Sequence, residues 1–190
     1  SHYTFNLRDF SRVVQGVLLQ EPSDQFQNKP SVMRLWTHEA LRVFGDRLTD
    51  DTDRQWMCDH CSAMCKEVFK CDFQSEFDHI RPADETETGY GTLRRLFWGD
   101  YMTPADEDER PYAEVPDLQQ LQERTEEALS DFNSASKKPM ELVMFMFAIE
   151  HVSRIARVLR MPGGNALLVG VGGSGRQSLS ILATEMAGYQ

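Results

Sequence analysis

Long hydrophobic runs are missing from this 190-residue sequence. The longest, Leu142 to Ile149, has eight residues, well short of the roughly 20 that a membrane-crossing helix needs. The opening Ser1-His2-Tyr3-Thr4-Phe5-Asn6 has neither the basic start nor the apolar stretch of a secretory leader. Cysteine is absent outside one window, where Cys58, Cys61, Cys65 and Cys71 fall within fourteen residues. An intracellular, reduced protein is therefore expected. Positive charge is in deficit, with 20 Lys and Arg against 30 Asp and Glu and a formal net charge of −10. That balance disfavours nucleic acid or an anionic membrane as the main partner. The deficit is local: residues 100 to 131 hold eleven acids and two arginines, a net of −9, which leaves the remainder near −1. There is no repeat of fixed period, no His-Glu-x-x-His, and no Ser/His/Asp or Cys/His set at readable spacing.

What remains is a globular composition. Hydrophobic residues make up 41%, and three Trp, five Tyr and eleven Phe supply a core, so wholesale disorder and a fibrous repeat are excluded. Asn6, followed by an acid at Asp9, marks a helix start, and Leu7, Phe10, Val13, Val14, Val17 and Leu18 recur at helical spacing to about Gln20. Glu21-Pro22-Ser23-Asp24 breaks this helix. Pro30 suits the first turn of a second, with a stripe of Met33, Trp36, Ala40, Leu41, Phe44 and Leu48. A third starts near Asp51, with Met57, Cys61, Met64, Cys65 and Val68 on one face. Three helices on short loops predict a bundle over the first 71 residues.

Residues 72 to 115 read as an irregular connector, with Leu96-Phe97-Trp98 as a buried anchor and Asp106-Glu107-Asp108-Glu109 as a solvated run. Helical order returns after Pro116, with Leu118, Leu121, Thr125, Leu129 and Phe132 on one face. Pro139 is expected to open a longer helix to about Arg160, its apolar first turns buried on several sides. Pro162-Gly163-Gly164 ends it, Asn165 to Val169 reads as a short strand, and Gln177 to Met186 as a helix stopped by Gly188. The fold class expected is mainly α, followed by a truncated α/β P-loop unit of helix, strand, glycine loop and helix. One strand cannot build a parallel sheet, which needs several.

The glycine loop, Gly170-Val171-Gly172-Gly173-Ser174-Gly175, carries the strongest chemical signal. Glycines that take positive φ let consecutive N–H groups point at a phosphate, and the next helix start favours an anion. The full pattern asks for Lys and then Ser or Thr; this chain has Arg176 and Gln177. Arg176 keeps the charge in a bulkier planar fork. Gln177 offers an amide where a hydroxyl would ligate magnesium, and Ser178 sits one residue late, about 100° further round the helix. Nucleotide binding with weak or absent hydrolysis is the reading favoured over a glycine turn that binds nothing. The cysteines with His60 could be metal ligands, but Cys61 and Cys65 share a face with Met57, Met64 and Val68, which favours a core helix. His38, Glu39 and Arg42 have no neighbouring nucleophile and are expected to be solvated or inter-domain polar residues.

Several stretches, in order, carry a resemblance: His2-Tyr3-Thr4-Phe5-Asn6-Leu7-Arg8-Asp9, Thr37-His38-Glu39 with Arg42-Val43-Phe44, Phe97-Trp98-Gly99-Asp100-Tyr101-Met102, Lys137-Lys138-Pro139-Met140-Glu141-Leu142-Val143, and Gly163 through Leu179. Nearly end to end, the chain resembles the axonemal dynein heavy chains. The resemblance implies a motor-ring segment with three parts. Residues 1–98 are the helical lid of the third AAA+ module, 99–136 an acidic connector and linking helix, and 137–190 the N-terminal part of the fourth module. It further implies that Gly170 to Ser178 are the fourth module's phosphate loop, that Leu142 and Val143 line its adenine pocket, and that Arg8 senses the terminal phosphate in the third. ATP or ADP, with or without Mg2+, is the implied ligand. The implied parent is a minus-end-directed microtubule motor of the ciliary or flagellar axoneme, with neighbouring AAA+ modules, microtubules and intermediate or light chains as partners. No ATPase activity is expected of the isolated chain. The alternative is a structural inter-module segment with a vestigial loop.

Overall fold

The computed structural model describes residues 3–22 and 28–189; Ser23 and Asp24, half of the predicted helix break, lie outside them, as does His2. The chain divides into two compact units, Ser1–Trp98 and Gly99–Gln190. Both are mainly helical. Strand content among the described residues is two three-residue segments, β1 (Phe97–Gly99) and β2 (Ala113–Val115).

In the first unit, α1 (Leu7–Val17) starts where predicted. The Asn6 side chain accepts from the N–H groups of Arg8 (2.8 Å) and Asp9 (3.3 Å), and the Asp9 carboxylate accepts from the Asn6 N–H at 2.9 Å. This reciprocal cap satisfies donors that a helix start otherwise leaves open, and contributes about 1 kcal/mol. Arg47 fixes the helix's rotation. Its Nη1 lies 3.2 Å from Asp9, its Nη2 donates to the Thr4 carbonyl, and its guanidinium stands 4.8 Å from the Phe5 ring centre. The face turned inward is thus Asp9, Val13 and Gly16, whereas Leu7, Phe10, Val14 and Leu18 of the predicted apolar stripe are exposed.

Helix α2 (Lys29–Val43) is capped by Asn28, whose Oδ1 accepts from the Ser31 N–H at 2.9 Å, with Pro30 in its first turn. Met33, Ala40 and Leu41 are buried as predicted, and Leu48 joins them after the 3-10 turn Gly45–Arg47. The helix is also buried on its other side, so of the two expectations for its polar residues, solvated or inter-domain, the first is overturned. His38 and Glu39 are both buried, Nδ1 to Oε1 at 3.0 Å, with the imidazole 6.3 Å from the Trp98 ring, and Arg42 pairs with Asp46 at 3.1 Å. Buried polar side chains persist when they find hydrogen-bond partners.

Helix α3 (Asp51–Met64), capped by Asp50, runs into a π-helical turn, Cys65–Phe69, closed by Lys70 in the left-handed region (φ 58°). The wider turn advances the register. Val68, predicted on the buried face, is exposed, and Phe69 packs inward with its ring 5.7 Å from Trp36. Burial pushes the thiols up, Cys58 to about 11 and Cys61 and Cys65 to about 12. These cysteines are core side chains. The segment predicted as connector carries α4 (Phe73–Glu76), the 3-10 turn Asp78–Ile80 and α5 (Tyr90–Leu93). Phe73, Phe77, Ile80, Leu93 and Leu96 belong to the same core as Met33 and Cys61. Leu96, Phe97 and Trp98 are buried, the anchor predicted.

In the second unit, the run from Asp106 to Glu109 is exposed, but Tyr101 and Tyr112 on either side are buried. Arg110 donates to the Met186 carbonyl at 2.6 Å, and Asp100, itself buried, lies 3.7 Å from Arg110 and 3.4 Å from Arg160. The connector is therefore clamped to the helix ends of its own unit. Helix α6 (Leu118–Ala135) is capped by Asp117 and buries Leu121, Thr125 and Leu129 as predicted. It packs on α7 (Met146–Arg160) and α8 (Arg176–Met186), which pack on each other.

Two predictions fail in this unit. The helix expected to open at Pro139 starts at Met146. Asn133 accepts from the Met140 N–H (2.7 Å) and donates to its carbonyl (3.0 Å), so Met140's backbone polar groups find an amide instead of a helical turn. The apolar first turns are correspondingly open: Val143, Phe145 and Phe147 are exposed, and Met144 is buried. The strand expected over Asn165 to Val169 is irregular, with Leu167 91% and Val169 85% exposed. A strand needs a partner ladder for its N–H and C=O groups, and no described segment pairs with this one.

Candidate functional site

The Pro162-Gly163-Gly164 turn stops α7 and redirects the chain. Gly163 takes φ +65°, and the Gly164 N–H donates to the Met161 carbonyl at 2.8 Å. The chain then runs without regular structure to the glycine loop. Gly173 (φ +77°) and Gly175 (φ +75°) occupy the left-handed region, which glycine enters without the penalty that a Cβ incurs. Gly175 is also the residue before α8, and its carbonyl accepts the first helical bond, from the Leu179 N–H at 2.9 Å. The loop therefore delivers the open N–H groups of a helix start to one place, a combination that suits an anion.

That place is the floor of a cavity of about 640 Å³ inside the second unit. Of the residues singled out in the sequence, Leu142, Val143, Gly170, Val171, Ser174, Gly175 and Arg176 line it. Gly172, Gly173, Gln177 and Ser178 do not; the two glycines and Gln177 face solvent. Arg8 is exposed on the first turn of α1 in the other unit.

Sequence reasoning missed much of the rest of the lining. Phe145, Phe147, His151, Ile155 and Leu179 line the same cavity. Phe147 and His151 meet edge to face at 4.3 Å, and Phe145 stacks parallel to Phe147 at 6.3 Å. The four-residue spacing of Phe147 and His151 on α7 was the available signal, since it places both on one helix face. The cavity thus has an apolar, aromatic wall and a glycine-loop floor.

These features suit a nucleotide: the aromatic wall for a base, the loop and helix start for phosphates, and enough room for both. They fit magnesium less well, because neither Gln177 nor Ser178 faces the cavity. Among the described residues, no group of three or more His, Cys, Asp or Glu side chains converges to hold a metal ion. No described helix is long and apolar enough to cross a membrane.

Comparison with known families agrees at both ends of the chain. Residues 1–54 match the dynein heavy chain ATPase lid domain, and residues 140–190 match the P-loop-containing dynein motor region D4. Over 188 residues, 98% of this chain and 6% of the relative, it is 50% identical to human dynein axonemal heavy chain 12. It is 49% identical to the mouse protein of that name over 191 residues, 100% of this chain and 6% of the relative. With human dynein axonemal heavy chain 3 it shares 48% identity over 190 residues, 100% of this chain and 4% of the relative. The chain therefore spans about one-twentieth of the length of these relatives. Matched along its whole length, this chain belongs to the axonemal dynein heavy chain family and corresponds to a segment of its motor region.

Proposed function

We propose that this chain is a regulatory nucleotide-binding segment of an ATP-driven, minus-end-directed microtubule motor that powers ciliary or flagellar beating in the axoneme. One observation carries the reading: a glycine loop with two positive-φ glycines opens α8 directly onto a 640 Å³ cavity that aromatic side chains also line. Within the Gly170 to Ser178 loop, ATP or ADP would be held by the backbone N–H groups of the residues that line the cavity, Gly170, Val171, Ser174 and Gly175, and by the charge of Arg176. Leu142 and Val143, with Phe147 and His151, would enclose the base. The nucleotide supplies a phosphate chain whose charge the loop neutralises. With an amide at Gln177 in place of a hydroxyl, magnesium has a weaker hold and hydrolysis is weak or absent.

In this reading residues 1–98 serve as the lid of the third AAA+ module, 99–136 as connector and linking helix, and 137–190 as the start of the fourth module. Arg8 would sense the terminal phosphate in the third. Partners of the segment are the neighbouring AAA+ modules of its own polypeptide. Microtubules and intermediate or light chains would bind elsewhere on the parent motor.

The test is a titration of the chain with fluorescent ADP and ATP, with and without magnesium. Saturable binding that is insensitive to magnesium and lost in Gly175→Val is expected. Wild-type and variant curves that coincide would refute the assignment and leave a purely structural inter-module segment.

A further inference from the structure

Arg176 does not extend from α8 into solvent. Its side chain folds back along the loop: Nη1 donates to the Leu168 carbonyl at 3.3 Å and Nη2 to the Val171 carbonyl at 3.1 Å. The stem lies against Gly170, where an added Cβ would stand 3.3 Å from both Cδ and Nε. A side chain at the helix start thus grips the backbone on both sides of Gly170. Little else holds this stretch. Leu167, Val169 and Val171 are all more than three-quarters exposed, so it has almost no packing of its own.

We propose that Arg176 is a latch: its guanidinium holds the nucleotide-free loop in shape through the Leu168 and Val171 carbonyls and must exchange them for phosphate oxygens when nucleotide enters. The inference rests on the cavity's being a nucleotide site and adds how that site is gated. It also gives arginine a reason at a position where the general pattern has lysine. A planar fork with two outward N–H groups spans two carbonyls, whereas an ammonium concentrates its donors at one point. Arginine thereby stabilises the empty loop, and the same donors are engaged when a phosphate arrives. Lysine keeps the charge for the phosphate but loosens the grip.

Two readouts on the full chain test this, using Arg176→Lys and Arg176→Ala. The first is hydrogen–deuterium exchange of residues 165–175 without nucleotide. Both variants are expected to exchange roughly five- to tenfold faster than wild type, the range for about one net hydrogen bond of local stabilisation. The second is stopped-flow association of fluorescent ADP. Arg176→Lys is expected to associate several-fold faster than wild type, and Arg176→Ala to bind weakly because the charge is gone. Unchanged exchange in Arg176→Lys overturns the latch whatever the binding result. Faster exchange with unchanged or slower ADP association overturns the gating. Failure of the wild-type chain to bind ADP overturns the nucleotide reading instead, and the exchange data then decide the carbonyl grip separately.

Discussion

Replacing Gly164 with alanine drives a methyl group into the carbonyl oxygen of Val158, with the Met161 carbonyl oxygen 2.9 Å away on another side. Both obstacles are backbone, so no side-chain rotation relieves them and the turn must open. Opening it removes the Gly164 N–H bond to Met161 and disturbs the last bonds of α7, from the Met161 N–H to the carbonyls of Arg157 and Val158 at 3.2 Å each. At about 1 kcal/mol per net hydrogen bond, the loss is about 2–4 kcal/mol. The neighbouring glycine is the control. An added Cβ at Gly163 meets nothing within 4 Å, but the residue sits at φ +65°, so alanine there costs only the left-handed conformation, about 1–2 kcal/mol. A urea titration followed by far-ultraviolet circular dichroism reads the loss of helix that the open turn causes. Gly164→Ala should shift the dichroism transition more than Gly163→Ala does. It should also weaken ADP binding, because the same turn aims residues 165–175 at the cavity. Equal destabilisation by the two substitutions would refute the steric argument.

Alkaline pH should destabilise the first unit. Cys58, Cys61 and Cys65 are pushed above their ordinary value of about 9 by burial, to about 11, 12 and 12. The unfolded chain therefore releases these protons first as pH rises. The thiol contribution is complete below pH 9 and is lost between about pH 9 and 12, by up to about 1.4 kcal/mol per pH unit for each thiol. Urea midpoints by tryptophan fluorescence from pH 8 to 10.5 should fall less steeply in Cys61→Ala/Cys65→Ala, and parallel slopes would contradict the account. Arg110→Ala removes the 2.6 Å bond to the Met186 carbonyl and one cation beside buried Asp100, which should cost about 2–4 kcal/mol of second-unit stability. A loss below about 0.5 kcal/mol in circular-dichroism melts, the scale of an exposed ion pair, would contradict it.

Local chemistry made much of this molecule legible before its coordinates. Asn6 with Asp9, Pro30, and Gly188 at φ +77° just beyond α8 mark helix ends through hydrogen bonds and backbone angles that span a few residues. The glycines of the loop are legible for the same reason: a positive φ and an unfilled helix start are properties of a short peptide. The aromatic part of the cavity lining was harder to read, because Phe145 and Phe147 fall in an apolar run expected to be buried on several sides, and only the four-residue spacing of Phe147 and His151 marked a shared face.

Long-range partners decided the rest. Which side of α1 turns inward followed from Arg47, 38 residues away from Asp9, and not from the apolar stripe. His38 and Glu39 are buried because α2 is covered on every side, a fact no periodicity within α2 records. The start of α7 moved to Met146 because Asn133 took the backbone groups of Met140, and residues 165–169 stayed irregular because a strand exists only where another strand accepts its hydrogen bonds. Sequence alone determined helix caps, turn glycines and the family to which the chain belongs, since these are written in contiguous residues. Helix rotation, the fate of the apolar segment and the return of Arg176 onto the Leu168 and Val171 carbonyls belonged to tertiary structure. Each depends on which distant polar group or apolar face happens to be within reach.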